Sequence, residues 1–266
     1  MKKRQKYKYI LCLIITIGLI ICSLSSCEPV HRKPNTTLIR KPQIAVSILY
    51  DGSGTAEGIL NLEQTYLFYN LFEYISSGVG GAVRFNYLTD KTKLNKGIEF
   101  FITPIYFNAT KPIKSDFNSS LMYDDAMSSY KSKVKRFNTV TFPQYDSLCK
   151  LKIKRFYDEF EDYKSILGSG SLKHSSQIEL SIAQTIPFFT GIDDPFCKKF
   201  LFLFTDGRSN SPRSFKLDTE SFNALGIRTF IIGLSKEKAS GDWMNIKYEE
   251  STNYSKIIDK LINNNF

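Results

Sequence analysis

One stretch constrains this chain more than any other: an apolar run that ends on an acid and is followed by small residues. Residues 43–55 read QIAVSILYDGSGT, with Ile44, Val46, Ile48 and Leu49 in a β-compatible segment that stops at Asp51. Gly52, Ser53 and Gly54 follow, then Thr55 and a long segment of helical period. A continuous apolar run of this length reads as a strand buried on both faces, as in a parallel sheet. Ligands of such sheets bind beyond the carboxyl ends of the strands, which is where Asp51, Ser53 and Thr55 fall. One carboxylate and two hydroxyls on a tight loop are hard oxygen donors, suited to Mg²⁺, Ca²⁺ or Mn²⁺.

A second fragment has the same form. Residues 199–210, KFLFLFTDGRSN, predict another buried strand that ends in Thr205-Asp206-Gly207. A third, residues 225–234 (LGIRTFIIGL), predicts a strand with glycine at both ends. D-x-S-x-T after the first strand and T-D-G after a later one resemble the metal-ion-dependent adhesion site of von Willebrand factor A domains. The third fragment looks like that family's next strand, G-I-x-x-x-x-I-G. By order of elements the resemblance covers roughly residues 43–262.

Residues 1–26 stand apart from the fold. Lys2, Lys3, Arg4, Lys6 and Lys8 precede the nearly unbroken apolar stretch 10–24, which is short for a span of about 20 residues. Leu24-Ser25-Ser26-Cys27 resembles the lipobox of bacterial lipoproteins, whose cysteine is lipidated and becomes the new N-terminus. The expectation is a signal peptide over 1–26, lipid on Cys27, and a tether over 27–42 that holds Pro29 and Pro34. An uncleaved anchor helix is the plainer alternative. The formal charge of +10 includes five lysine or arginine residues of that signal, leaving +5 on the remaining 240 residues. This balance, in an exported protein, does not point to nucleic acid. The predicted location is the bacterial cell envelope, periplasmic or surface-facing. Of five cysteines, Cys149 and Cys197 remain in the domain. An oxidising location permits their pairing, but the sequence leaves it open. His31 and His174 lie far apart and make no zinc framework.

Along the domain, 59–76 carries a helical stripe (Leu60, Leu67, Leu71, Ile75) that Gly78 to Gly81 ends. Residues 82–88 alternate Val83, Phe85 and Tyr87 with Arg84 and Asn86, predicting a half-exposed strand. Residues 97–107 predict a second strand paired with it, and Pro104 suits an edge position. The segment 108–147 is polar, with a possible helix over 119–137, and reads as a solvated insertion. Helices are predicted over 148–167, 177–189, 214–224 and 252–262, and strands around Phe200, Ile227 and 245–249. Alternating strands and helices with buried central strands predict an α/β, doubly wound, mostly parallel sheet with helices on both faces. The antiparallel edge strand is what the resemblance adds.

The resemblance also implies a ligand set. Asp51, Ser53, Thr55 and Asp206 match the family's metal ligands, with Thr55 where serine is usual. The family's separate-loop threonine sits in T-x-I-x-x-A-L. Residues 176–182, SQIELSI, fit this with Ser176 in the threonine position, and His174 and Ser175 are the other open registers. The implied cofactor is Mg²⁺, with Mn²⁺ or Ca²⁺ as alternatives. The implied partner is another protein whose acidic side chain completes the shell. Two other classes remain. A metal-independent envelope scaffold needs only the fold, with Asp51 and Asp206 accepting loop hydrogen bonds. An enzyme is disfavoured: haloacid dehalogenase-like phosphatases need an acid at the position of Ser53, and Gly52-Ser53-Gly54 lacks the G-x-S-x-G spacing of a hydrolase elbow.

Overall fold

The computed structural model describes residues 43–51, 66–88, 97–168, 177–210, 215–237, 239–251 and 253–262. The signal, Cys27, the tether, Ser53, Thr55, His174, Ser175 and Ser176 all lie outside the described residues.

The first strand, β1 (Ile44–Asp51), is buried at all eight positions. Side chains alternate across a strand, so Ile44, Val46, Ile48 and Tyr50 enter one core while Ala45 and Leu49 enter another. The chain then forms α1 (Tyr66–Tyr74), β2 (Gly81–Leu88) and β3 (Ile98–Ile102). A long helical segment follows: α2 (Ser120–Arg136), a wide π turn (Phe137–Thr141) and α3 (Phe142–Gly168). After it come α4 (Ile178–Thr190), β4 (Lys198–Phe204), α5 (Thr219–Ala224), β5 (Arg228–Ile232), β6 (Tyr248–Ser251) and α6 (Tyr254–Ile262).

The six strands lie in the order β3-β2-β1-β4-β5-β6. Every neighbouring pair is parallel except β2 with β3, which is antiparallel and puts β3 at an edge. This is the mixed sheet anticipated above. The first core holds rings from α1, α3 and the sheet: Phe68 stands edge-on to Phe156 and Phe160 at 5.0 and 5.2 Å between centroids. Residues of α6 close the same side, including Tyr254 and Ile258. The opposite core takes Ile178, Ile182 and Phe189 of α4 with Phe222 of α5 and Trp243. Helices therefore cover both faces. No helix among the described residues is long and apolar enough to cross a membrane.

Several sequence expectations are corrected. β2 is not half-exposed: all eight of its residues are buried, Arg84 at 8 % exposure and Asn86 at 0 %. Arg84 tolerates this because its Nη1 pairs with Glu99 Oε1 on β3 at 2.8 Å, and α4 packs over β2 as well as β1. The helix expected from residue 148 begins at Phe142 and runs on from α2, because helical backbone continues through Arg136, Phe137 and Phe142. Pro143 has no N–H to give, and the wide π turn lies just before it. Ser119 caps α2, its Oγ accepting from Met122 N at 3.2 Å. No residue of α2 is buried, but Phe107 lies against Tyr130 and Phe137, so the preceding segment packs along it. Tyr145, within the segment expected to be solvated, enters the core. The last strand begins at Tyr248, and residues 242–245 form a 3₁₀ turn instead.

Cys149 and Cys197 are both free thiols. Cys149 sits in the core on one side of the sheet and Cys197 packs against the core on the other, which accounts for their not being joined. Burial, with a smaller contribution from Asp194, pushes the Cys197 thiol up to about 12, against a lowering effect of Lys199.

Candidate metal site

The strand order reverses at one place. From β1 the chain builds outward to β2 and β3, then returns to lay β4 on the other side of β1. A crevice opens beyond the carboxyl ends of the strands at such a switch point. Tyr50 is in register with Phe204, so the residues that follow, Asp51 and Thr205-Asp206, leave adjacent strands side by side. Both carboxylates are 1 % exposed.

The loop after β4 is built by its own hydrogen bonds. Thr205 Oγ1 donates to Asp51 Oδ2 at 2.8 Å, linking residues 154 positions apart. The same oxygen accepts from Gly207 N at 3.1 Å. Asp206 Oδ1 accepts from Arg208 N at 3.1 Å. The turn then closes against the segment after β5, where Ser235 N donates to the Asp206 carbonyl and Ser240 N to the Gly207 carbonyl. Gly207 has φ +91°, and a Cβ there would lie 2.7 Å from Leu234 Cδ1. Only glycine fits this turn without strain.

Asp206 Oδ2 differs from the other carboxylate oxygens. It is buried and has no hydrogen-bond partner among the described residues. A buried carboxylate oxygen without a partner costs more than an ordinary unpaired polar atom, and a cation would offset that cost. The residues present therefore fit the hard divalent ion implied by the resemblance: two carboxylates at neighbouring strand ends, one with a vacant coordinating atom. The described residues hold no group of three or more His, Cys, Asp or Glu able to bind a metal, so the remaining donors would have to be hydroxyls, carbonyls or water. The structure brings Asp51 and Asp206 together. Ser53, Thr55 and Ser176, the expected hydroxyl ligands, fall outside the described residues. Two features escaped sequence reasoning. Thr205 enters the sequence reading only as part of a motif, although its position directly before an expected ligand is a usable signal. Glu179, buried at the start of α4, gave no sequence signal because glutamate in a first helical turn is ordinarily solvated.

A groove of about 240 Å³ lies at the far sheet edge, between β6 and α6, lined by Phe230, Glu249, Lys256 and Lys260 among others. None of the expected ligands lines it.

No protein-family model matches the chain, and no curated protein sequence matches it. Among solved structures it is similar to proximal thread matrix protein 1 of the mussel byssus, at 13 % identity and TM-score 0.34, over 83 % of this chain and 46 % of that one. It is similar to the pilus adhesin SpaC of Lactobacillus rhamnosus GG in its open conformation, at 10 % identity and TM-score 0.39, over 85 % of this chain and 30 % of that one. It is also similar to manganese-loaded TRAP protein of Plasmodium vivax, at 12 % identity and TM-score 0.35, over 83 % and 72 %. The chain thus spans less than half the length of the first two. These likenesses are remote, and the architecture rests on the sheet itself: six strands, a reversal between β1 and β4, and one antiparallel edge.

Proposed function

We propose that this protein is a protein-binding module that engages an acidic side chain of its partner through a divalent cation. The observation that carries the reading is the pair of buried carboxylates at the switch point, with Asp206 Oδ2 left unpartnered among the described residues. Asp51, Ser53, Thr55, Ser176 and Asp206 would hold the ion, Mg²⁺ or else Mn²⁺ or Ca²⁺. Bound there, it supplies a coordination position that a carboxylate from another protein can fill. Thr205 holds Asp51 in place and the Arg208 amide holds Asp206, so this chain's own part is to present oxygens in a fixed, dry setting. No catalytic role is assigned to any residue. The proposal includes the sequence-based organisation: a lipoprotein signal over 1–26, lipid on Cys27, a tether over 27–42 and one domain over 43–266, held at the cell envelope.

The test is calorimetric titration of Mg²⁺ and Mn²⁺ into the full-length chain, kept in mild detergent because residues 10–24 are apolar, after stripping with EDTA. An Asp51→Ala, Asp206→Ala double variant is titrated alongside. Binding by the wild type that vanishes in a still-folded variant supports the reading and justifies capture of partners with and without metal. Absence of heat up to millimolar metal turns the reading to a metal-independent scaffold.

A further inference from the structure

A third carboxylate is buried at this end of the fold, and the proposed cation shell does not use it. Glu179 lies in the first turn of α4 at 3 % exposure. A charge that far from water needs partners. Ser209 Oγ, in the loop after Asp206, donates to Glu179 Oε2. The other oxygen, Oε1, lies so close to the Gly241 backbone that a Cβ at Gly241 would overlap it. Gly241 also has φ +121°, which a larger residue would strain to adopt. The amino end of α4 adds the favourable end of a helix dipole.

These contacts make one carboxylate the meeting point of three segments. The 205–210 loop is already laced to the segment after β5 through Ser235 and Ser240, and Glu179 ties that pair to α4. The helix follows directly on the segment that holds Ser176.

We propose that Glu179 is a positioning residue for the cation site: acting through Ser209, it fixes the Asp206 loop against the start of α4. The cation part of this rests on the function proposed above; the tie itself does not. Side chains one step removed from a metal set its ligands' orientation, and their loss weakens metal affinity by about 10–100-fold.

The test uses the full-length chain with Glu179→Ala, Glu179→Gln, Ser209→Ala and the Glu179→Ala, Ser209→Ala double variant. Amide hydrogen exchange is followed without metal, then Mn²⁺ affinity is measured. In the two alanine variants the Arg208 and Ser240 amides should exchange at least about tenfold faster, while β1 and β4 keep their protection. The double variant should be no faster than the faster single one, because both changes remove the same tie. Glu179→Gln keeps an oxygen that accepts from Ser209 and should stay within about threefold of the wild type. Mn²⁺ affinity should fall about tenfold or more in the alanine variants and little in Glu179→Gln.

Unchanged exchange in Ser209→Ala, the variant least able to disturb folding, overturns the tie. Faster exchange spread equally through β1 and β4 marks general destabilisation and overturns it as well. Faster local exchange with unaltered Mn²⁺ affinity overturns the positioning role. A wild type that binds no Mn²⁺ overturns the cation reading, while exchange still decides whether Glu179 holds the loop.

Discussion

Asp206→Asn should make this protein more stable without metal and less stable with it. The Oδ2 atom of Asp206 is buried with no hydrogen-bond partner among the described residues, and Asp51 leaves the adjacent strand beside it. Leaving a buried polar atom unpaired costs about 1–3 kcal/mol, and more when it is charged. An asparagine keeps the oxygen that accepts from Arg208 N but places a neutral, still unpaired amide where Oδ2 was. Only part of the cost is recovered, about 1–2 kcal/mol. For a domain of this size each kcal/mol moves Tm by about 2–4 °C, so the variant should melt about 2–8 °C higher in EDTA. A cation at a hundred times its Kd adds about 2.7 kcal/mol to the wild type and should add nothing to the variant, so the order of the two melting curves reverses. Urea unfolding in EDTA and in millimolar Mg²⁺ reads both terms. A variant that loses 1 kcal/mol or more in EDTA, on the order of one ordinary hydrogen bond, would show that Oδ2 is engaged. A variant that keeps the full metal effect would remove Asp206 from the ligand set.

Three further outcomes can be checked in the same way. Thr205→Val removes both the donor to Asp51 and the acceptor for Gly207 N, and should cost about 2–4 kcal/mol in urea unfolding. Thr205→Ser, which keeps the hydroxyl, should lose less than half of that; a Thr205→Val loss below about 1 kcal/mol would refute the hydroxyl's role in holding Asp51 and Gly207. Phe68→Ala empties the centre of the ring cluster made with Phe156 and Phe160, so a loss of about 3–5 kcal/mol is expected, and a loss below about 1 kcal/mol would contradict tight packing there. Stability should also fall on the alkaline side. Burial holds the Cys197 thiol protonated, raising it from 9.0 to about 12, and raises Tyr254 well above 10.0. In the unfolded chain these groups lose their protons first, so their contribution is complete below pH 9 and is lost as pH rises towards 12. The urea midpoint should decline over that range and more gently in Cys197→Ser; a flat profile would contradict the assigned burial.

Much of the fold is legible in the sequence because its signals are local. Five phenylalanine and leucine residues in a row before Thr205-Asp206-Gly207 read as a short strand buried on both faces, and the glycine after the acid marks the turn. The stripes of α4 and α6 mark those helices to within a few residues because helical period is also local. Burial that depends on a neighbour was less readable. Arg84 and Asn86 give β2 the alternation of a half-wet strand, yet α4 and the Glu99 partner on β3 cover both residues. Pro143 looks like a break in the sequence, but a wide turn carries the helix past it.

The sequence by itself determined that two apolar strands each lead to an aspartate within two residues of the run, and that the first is followed by hydroxyl residues suited to a hard cation. That information is complete within a dozen residues at each place. Only the tertiary structure decided that the two strands are neighbours, because pairing β4 with β1 depends on where the whole chain returns after β3. The same return brings Thr205 to Asp51 and leaves Asp206 Oδ2 without a partner among the described residues. It also brings Ser209 and Gly241 onto Glu179, three residues far apart in the chain. A side chain's burial and its partners are properties of the packed layers around it, and no run of neighbouring residues encodes them.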